Sequence, residues 1–363
     1  MCVISHCFID PRWILETMQE SMSALLRSSG LALPPASLPG RFGMGEIGTE
    51  AHHWIGCLSR MGQSFWQMPL PAPRIVEEAP GSALSSYAGN PMLLSFDALR
   101  YDGVLLPGDL SMLPVFDEGP IDFGPAVEVR EAFLNLAARR FIDQTERSPL
   151  LHHAFSKFCE VEAFWLDDWA LFATLRQVHD RKPWTEWPAG LASRESDALA
   201  VAVDEHSVQI AEHKALQFLF FRQWHRLRAC AHEHRIALIA DLPESMPRVS
   251  ADHWLSPGGL DWETRVRAAA RLVDQVHLPG LPQDLAAGAE LPLIYERLES
   301  VAHEGWKGIE QVWGSPVLMA VCSLPCVLDD EAADMAAWRF NWDDLSAEKQ
   351  LRLRLLTERS GRR

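Results

Sequence analysis

The stretch from residue 36 to residue 91 constrains the fold of this chain more than any other part of the sequence. An apolar run at 31–33 leads into a Ser-Leu-Pro-Gly turn, and three glycines between positions 43 and 48 precede a helix. Glycine tolerates positive φ and close backbone approach, so this pattern is typical of a tight turn into a helix. The helix is followed by a short apolar strand over 64–70 that prolines end. Strand, turn, helix and strand in this order predict a parallel βαβ unit.

Helical periodicity dominates the middle of the chain, and strand-like runs return after it. The spacing of apolar residues predicts helices over Val127–Phe141 and Ser148–Gln177 and a long helix ending near Glu233. The aromatic stripes of these helices are typical of helix-on-helix packing. Short apolar runs predict five or six strands, near residues 31, 65, 237, 275, 292 and 317, with a further helix from about 295 to 312. The sequence therefore predicts an α/β protein.

Composition narrows the choice of partners. The chain of 363 residues carries 33 basic and 49 acidic residues, a net charge of −16, which disfavours nucleic acid and anionic membrane surfaces as partners. Its N-terminus lacks the pattern of a secretory signal, and seven widely spread cysteines point to free thiols in a reducing compartment. We predict a cytoplasmic protein.

No motif in the sequence points to a metal or a cofactor. His232 and His234 face different sides of a predicted helix and so cannot share one ion, and a pair of cysteines at Cys322 and Cys326 lacks a second pair or a paired histidine. Phosphate-binding loops and nucleophile-elbow motifs do not occur either. We predict neither metal nor cofactor.

Several motifs, taken in order, resemble the amylomaltases, the 4-α-glucanotransferases that disproportionate α-1,4-glucans on a (β/α)8 barrel. The matching motifs are Ser-Leu-Pro-Gly at 37–40, Gly-x-Gly-x-x-Gly at 43–48, Gly-Gln-Ser-x-Trp-Gln-x-Pro-Leu at 62–70, Ala-Gly-Asn-Pro at 88–91, the aromatic run 163–172, Pro-Trp-Thr-Glu-Trp-Pro at 183–188 and the run 213–224. The resemblance implies a barrel interrupted by a helical insertion. It also implies an α-glucan or maltooligosaccharide as partner, with substrate contacts from Ser37, Trp66, Asn90 and Asp241.

The segment that corresponds to the family's nucleophile departs from the family pattern. Amylomaltases carry a pattern like Asp-x-Val-Arg-Ile-Asp-His, whereas this chain has Asp-Gln-Val-His-Leu-Pro-Gly over 274–280. The arginine has become His277 and the nucleophile has become Pro279, which offers no nucleophilic atom. A sugar-stacking tyrosine is replaced by Gly81, and Val249 stands where a sugar-binding aspartate is expected.

Two carboxylates remain as candidate catalytic groups. Asp241 follows the strand-like run 236–240, at the strand end where barrel enzymes place their chemistry, although a structural acid is an equal interpretation. Glu296 fits the family's general acid, but a helix over 295–301 would leave it solvated. The family's third acid finds no match.

These observations predict an incomplete or rearranged (β/α) TIM-type barrel with a helical insertion. We divide it into an N-terminal helical lead (1–30), a first part of the barrel (31–100), a helical insertion (101–235), the remainder of the shortened barrel (236–345) and a C-terminal tail (346–363). An open barrel edge invites association, so we expect either a homodimer through that edge or the N-terminal lead covering it.

Three hypotheses for function follow. The first is a catalytically inactive glucan-binding or regulatory homologue. The second is an active 4-α-glucanotransferase that uses displaced carboxylates, Asp241 and Glu296. The third is a purely structural or interaction protein.

Overall fold

Seven parallel strands form one sheet in the computed structural model, which describes residues 28–74, 82–116, 121–243 and 245–278 and the short pieces 293–294, 298–300, 319–323, 340, 346–347 and 350. The order across the sheet is β5-β4-β3-β2-β1-β7-β6, and every neighbouring pair is parallel. The strands are β1 (Ser28–Ala32), β2 (Phe65–Pro69), β3 (Ala237–Asp241), β4 (Gln275–His277), β5 (Leu293–Ile294), β6 (Leu298–Ser300) and β7 (Met319–Ser323).

The two edges of the sheet lie close together. β5 and β6 are at opposite ends of the strand order, yet only residues 295–297 separate them in sequence. Four Cα–Cα steps span at most roughly 14 Å, so the sheet curves until its edges approach each other. Within the described strands β5 and β6 do not pair, and the barrel is not closed. The prediction of an incomplete barrel is confirmed.

All six predicted strands are present, and one element was predicted wrongly. The helix expected from about residue 295 is contradicted by β6, which pairs with β7 over Leu298–Ser300. Helical spacing of apolar residues is a local signal, and the pairing of three residues with a distant strand outweighs it. Glu296 itself lies outside the described residues.

The βαβ unit forms as predicted. Helix α1 (Thr49–Arg60) connects β1 and β2 and buries Trp54 and Leu58 completely against the core. Gly45 is required in the turn before it, because a Cβ atom there would lie 2.2 Å from the Pro35 carbonyl oxygen. Gly62 follows the helix with a φ of +72°, a conformation that favours glycine.

Helices account for most of the chain between β2 and β3. The α-helices described after α1 are α2 (Phe96–Tyr101), α3 (Pro107–Leu110), α4 (Phe123–Arg147), α5 (Pro149–Val178), α6 (Ala189–Ala192), α7 (Ser196–Glu205), α8 (Ser207–Glu233), α9 (Ala251–Leu255) and α10 (Trp262–Ala269). The last two, α9 and α10, lie between β3 and β4. None of the described helices is long and apolar enough to cross a membrane.

The three long helices α4, α5 and α8 pack through aromatic side chains, as their apolar stripes predict. Phe218 of α8 contacts Phe141 of α4 and Phe158 of α5, with ring centroids 5.2 and 5.5 Å apart. The break between α4 and α5 lies at Ser148, whose side chain accepts a hydrogen bond from Leu151 N. These helices form the predicted helical insertion.

A buried ion cluster joins the insertion to the sheet ahead of β4. Burial raises the pKa of the Asp274 carboxyl, but Arg228 and His232 outweigh that effect and lower the pKa to about 2. Arg228 lies 2.7 Å and His232 lies 2.8 Å from the same carboxylate oxygen. The second oxygen accepts a hydrogen bond from Leu238 N of β3, so this aspartate has a structural role.

The predicted division into segments stays a prediction. The N-terminal lead falls outside the described residues up to residue 27, and little of the C-terminal tail is described. Pro279 and Gly81 also lie outside the described residues, so the replacements inferred at these positions stay predictions.

Candidate functional site

Polar side chains from three adjacent strands meet at the carboxyl end of the sheet. The register places Asp241 of β3 beside Pro69 of β2 on one side and beside His277 of β4 on the other. Gln67 lies two residues before Pro69, so its side chain leaves the strand on the same face. Gln67, Asp241 and His277 are therefore brought together, and we call them the strand-end cluster.

One oxygen of Asp241 holds the strand-end cluster together. Gln67 Nε2 donates to Asp241 Oδ1 over 2.6 Å, and His277 Nδ1 lies 2.7 Å from the same oxygen. Within the described part of the chain, Asp241 Oδ2 and His277 Nε2 form no hydrogen bond. The side chains of Asp241 and His277 are 36% and 25% exposed. The cluster thus presents a carboxylate oxygen and an imidazole nitrogen to solvent, which suits hydroxyl groups as ligands.

A cleft opens between the loops after β2 and the helical insertion. It has a volume of about 480 Å³, and buried Trp169, Phe172 and Leu134 form part of its lining. Asn90 faces it from the loop, and His213 faces it from α8. Burial lowers the pKa of His213 to about 4, so this imidazole is neutral at pH 7 and offers one donor and one acceptor.

The loop that carries Asn90 is fixed by buried hydrogen bonds. The side-chain amide of Gln217 in α8 accepts from Gly89 N and donates to Gly89 O, both over 2.9 Å. Asp252 of α9 accepts from Ser86 N and, over 2.5 Å, from Ser86 Oγ. Burial raises the pKa of the Asp252 carboxyl, which the bonds from Ser86 partly offset. The motif Ala-Gly-Asn-Pro is thereby held against the insertion.

The predicted substrate-contact residues lie in different environments. Asn90 lines the cleft, and its Oδ1 accepts from Met92 N. Ser37 is buried, and its carbonyl accepts from Phe340 N. Trp66 has no exposed surface, and its indole donates to Leu33 O over 2.7 Å. Ser37 and Trp66 are thus buried and offer a ligand little surface, and their predicted substrate contacts stay predictions.

Of the two predicted catalytic carboxylates, only Asp241 lies within the described residues. It ends β3 at the sheet's carboxyl edge, as predicted. Sequence reasoning missed Gln67 and gave His277 no role of its own. The signal that could have found Gln67 was its position two residues before Pro69, at the end of β2. Its side chain therefore lies on the same face of the sheet as that of Asp241.

The histidines that raised the question of metal binding have other partners. His232 contacts Asp274, and His234 Nδ1 lies 2.9 Å from Cys230 O. Across the described ranges, no group of three His, Cys, Asp or Glu side chains could hold a metal ion. The predicted lack of a metal site stays a prediction.

Comparisons with known proteins all identify the same family. A family model described as 4-alpha-glucanotransferase matches residues 33–287. Among curated 4-alpha-glucanotransferases, that of Synechocystis sp. is 31% identical over 291 residues, covering 80% of this chain and 52% of the relative. That of Thermus thermophilus is 36% identical over 233 residues, covering 64% and 45%. The chain thus spans about half the length of these relatives.

A solved structure shares the fold. It is an amylomaltase from Streptococcus agalactiae in complex with acarbose, with a TM-score of 0.79 and 18% sequence identity. The match covers 93% of this chain and 99% of that one. At this identity the likeness shows the architecture and not the chemistry.

Proposed function

This chain belongs to the 4-alpha-glucanotransferase family, and on that premise we propose that it binds α-1,4-glucans at the carboxyl edge of its sheet without transferring glucosyl units. The proposed ligand is a maltooligosaccharide. Its hydroxyl groups contact the strand-end cluster, and Asn90 extends the site into the cleft.

The observation that carries the proposal is the environment of the Asp241 carboxylate. A retaining transfer needs a second carboxyl group at about 5 to 5.5 Å. Among the described residues, the side chains bonded to Asp241 are the amide of Gln67 and the imidazole of His277. In the register of the family motif, the nucleophile position is Pro279, which has no nucleophilic atom. Among the described residues Asp241 is thus held by an amide and an imidazole, and in that register the nucleophile position holds a proline.

The alternative is an active 4-α-glucanotransferase that uses Asp241 and Glu296. The exposure of Asp241 at a strand end favours it, because barrel enzymes place their reacting groups there. Asp241 would then need a carboxyl partner from outside the described residues.

Two assays on the pure protein separate these functions. Incubation with maltotriose, followed by chromatography, is expected to give neither glucose nor any maltooligosaccharide longer than maltotriose. Titration with maltoheptaose is expected to quench the fluorescence of the fourteen tryptophans, whereas a β-1,4-linked oligosaccharide of equal length is expected to leave it unchanged.

Each other outcome has a clear meaning. A product ladder that is absent from the Asp241→Ala, Glu296→Ala double variant would establish the active alternative. Neither products nor quenching, in a protein shown to be folded, would favour a purely structural or interaction role.

The same proposal includes a cytoplasmic location and a homodimer through the open edge of the sheet. Cys57, Cys159 and Cys230 are free, which suits a reducing compartment. Unpaired edge strands favour association with another chain. Sedimentation of the full chain is expected to give a dimer.

A further inference from the structure

Arg74 lines the cleft from the loop that follows β2. It is only partly exposed, and across the described chain no carboxylate pairs with its guanidinium. Burial lowers the pKa of Arg74, although the group remains charged at neutral pH. A half-buried cation of this kind is stabilised more strongly by a bound oxyanion than an exposed cation is, because water screens the half-buried charge less.

The charge of the cleft contrasts with that of the whole chain. Of the described residues, three arginines line it, Arg74, Arg176 and Arg181, against two acids, Glu131 and Asp180. Arg181 forms an ion pair with Glu131 and so neutralises one of these acids. In a chain of net charge −16 the described lining of this cleft thus has an excess of positive charge, which favours an anionic ligand.

The backbone turns sharply beside the cleft, where α5 ends. Asp180 and Arg181 have φ angles of +53° and +61°, in the left-handed region that non-glycine residues rarely adopt. Arg181 forms the ion pair with Glu131 of α4, and both residues line the cleft. This conformation ends α5, because Arg181 N donates to Arg176 O, and it leaves the Arg181 guanidinium beside Glu131.

We propose that the cleft binds a phosphorylated sugar, with the phosphate on Arg74 and the sugar hydroxyls on Asn90 and His213. The guanidinium presents parallel N–H groups that match two phosphate oxygens. The volume of about 480 Å³ lies within the range of small-ligand sites. The carbohydrate part of this inference rests on the proposed function, whereas the anionic part rests on Arg74.

A phosphate is favoured over a carboxylate because of charge. A phosphate monoester carries a charge of about −1.5 to −2 at pH 7. The positive charge of the cleft therefore attracts it more strongly than it attracts a carboxylate of charge −1. Glucuronate provides the carboxylate comparison, since it keeps the sugar ring and changes the anion.

Calorimetric titration of the full chain tests the proposal, with glucose 1-phosphate, glucose 6-phosphate, inorganic phosphate, glucuronate, glucose and maltotriose as ligands. At least one sugar phosphate is expected to bind more tightly than inorganic phosphate, glucuronate and glucose. Arg74→Gln is expected to weaken that binding about tenfold or more, as for the loss of a charge-assisted hydrogen bond. Arg147→Gln removes the same charge at an exposed position at the end of α4 and is expected to leave the affinity unchanged.

Equal affinity of Arg74→Gln and the unaltered chain would overturn the proposal, as would tighter binding of glucuronate or inorganic phosphate than of either sugar phosphate. If Arg74→Gln does not fold, salt dependence decides. Raising the ionic strength from about 0.01 M to about 0.15 M is expected to weaken the binding of the sugar phosphate, and an unchanged affinity would refute a charge contact.

Maltotriose separates this inference from the proposed function. Binding of maltotriose without binding of any sugar phosphate would refute the inference and leave the proposed function intact. Binding of a sugar phosphate without binding of maltotriose would support the Arg74 site and count against the glucan function.

Discussion

His277 Nδ1 lies 2.7 Å from Asp241 Oδ1, across two strands whose register sets the residues side by side. The family motif has an arginine at the position of His277, so this chain places an imidazole where the motif has a guanidinium. Asp241 Oδ1 also accepts from Gln67. The carboxylate is thus oriented by neighbours on both sides, and one oxygen remains for a ligand.

The first prediction concerns that remaining oxygen. Asp241→Ala is expected to weaken the binding of maltoheptaose about tenfold or more, because the carboxylate is a charged acceptor of hydroxyl hydrogen bonds. Tryptophan quenching measures the change. Asp204→Ala removes an exposed carboxylate from α7 and serves as the control. Equal affinities of the two variants would exclude the strand-end cluster as the binding site.

The second prediction concerns the close approach of Gly89 to α8. A Cβ atom at Gly89 would lie 1.9 Å from Phe220 Cδ1, so Gly89→Ala is expected to lower the free energy of unfolding by about 1–3 kcal/mol through overpacking. A Cβ at Gly108 meets nothing within 4 Å. Urea unfolding should therefore show little change for Gly108→Ala, and a similar loss in both variants would refute the packing argument.

The third prediction concerns Asp274, whose pKa is lowered from its ordinary 3.8 to about 2. Because the folded chain favours the ionised form, the stabilisation is present above about pH 4 and is lost as the pH falls towards 2. Asp274→Asn is expected to cost about 3–5 kcal/mol at pH 7, since it leaves Arg228 buried without an anion.

Urea unfolding between pH 7 and pH 2 measures both effects of the Asp274 change. Asp143→Asn, on the exposed face of α4, should keep the stability and the acid-dependent loss of the unaltered chain. An Asp274→Asn variant with the stability of that control would contradict the ion cluster.

The fourth prediction concerns two histidines of α8. Burial lowers the pKa of His213 and of His225 from 6.5 to about 4. The unfolded chain therefore takes up protons first, and stability is expected to fall as the pH drops from 6.5 towards 4. Replacing both residues with glutamine should flatten this part of the pH profile, whereas replacing the exposed His153 should not. An unchanged profile in the double variant would locate the proton uptake elsewhere.

Local patterns predicted much of the fold. The glycine-rich turn before α1, the helices α4, α5 and α8, and the strand that ends at Asp241 all follow from turn chemistry and periodicity within one stretch. The strand Leu298–Ser300 did not, since three residues carry little periodic signal and their pairing partner is Met319–Val321. Trp66 was expected to contact substrate because it lies in a family motif, but its burial depends on how β1 and β2 pack.

The sequence by itself determined the ancestry of this protein, its α/β class, its long helices and the placement of an acid at a strand end, because each is encoded by residues close together in the chain. Only the tertiary structure decided which groups meet. Gln67 and Asp241 are 174 positions apart, and Gly89 and Gln217 are 128 apart. Strand register and helix docking set such contacts, and both depend on the packing of the whole core. The cleft with Arg74, Asn90 and His213 is also a product of the tertiary structure, because its walls come from segments that are far apart in the sequence.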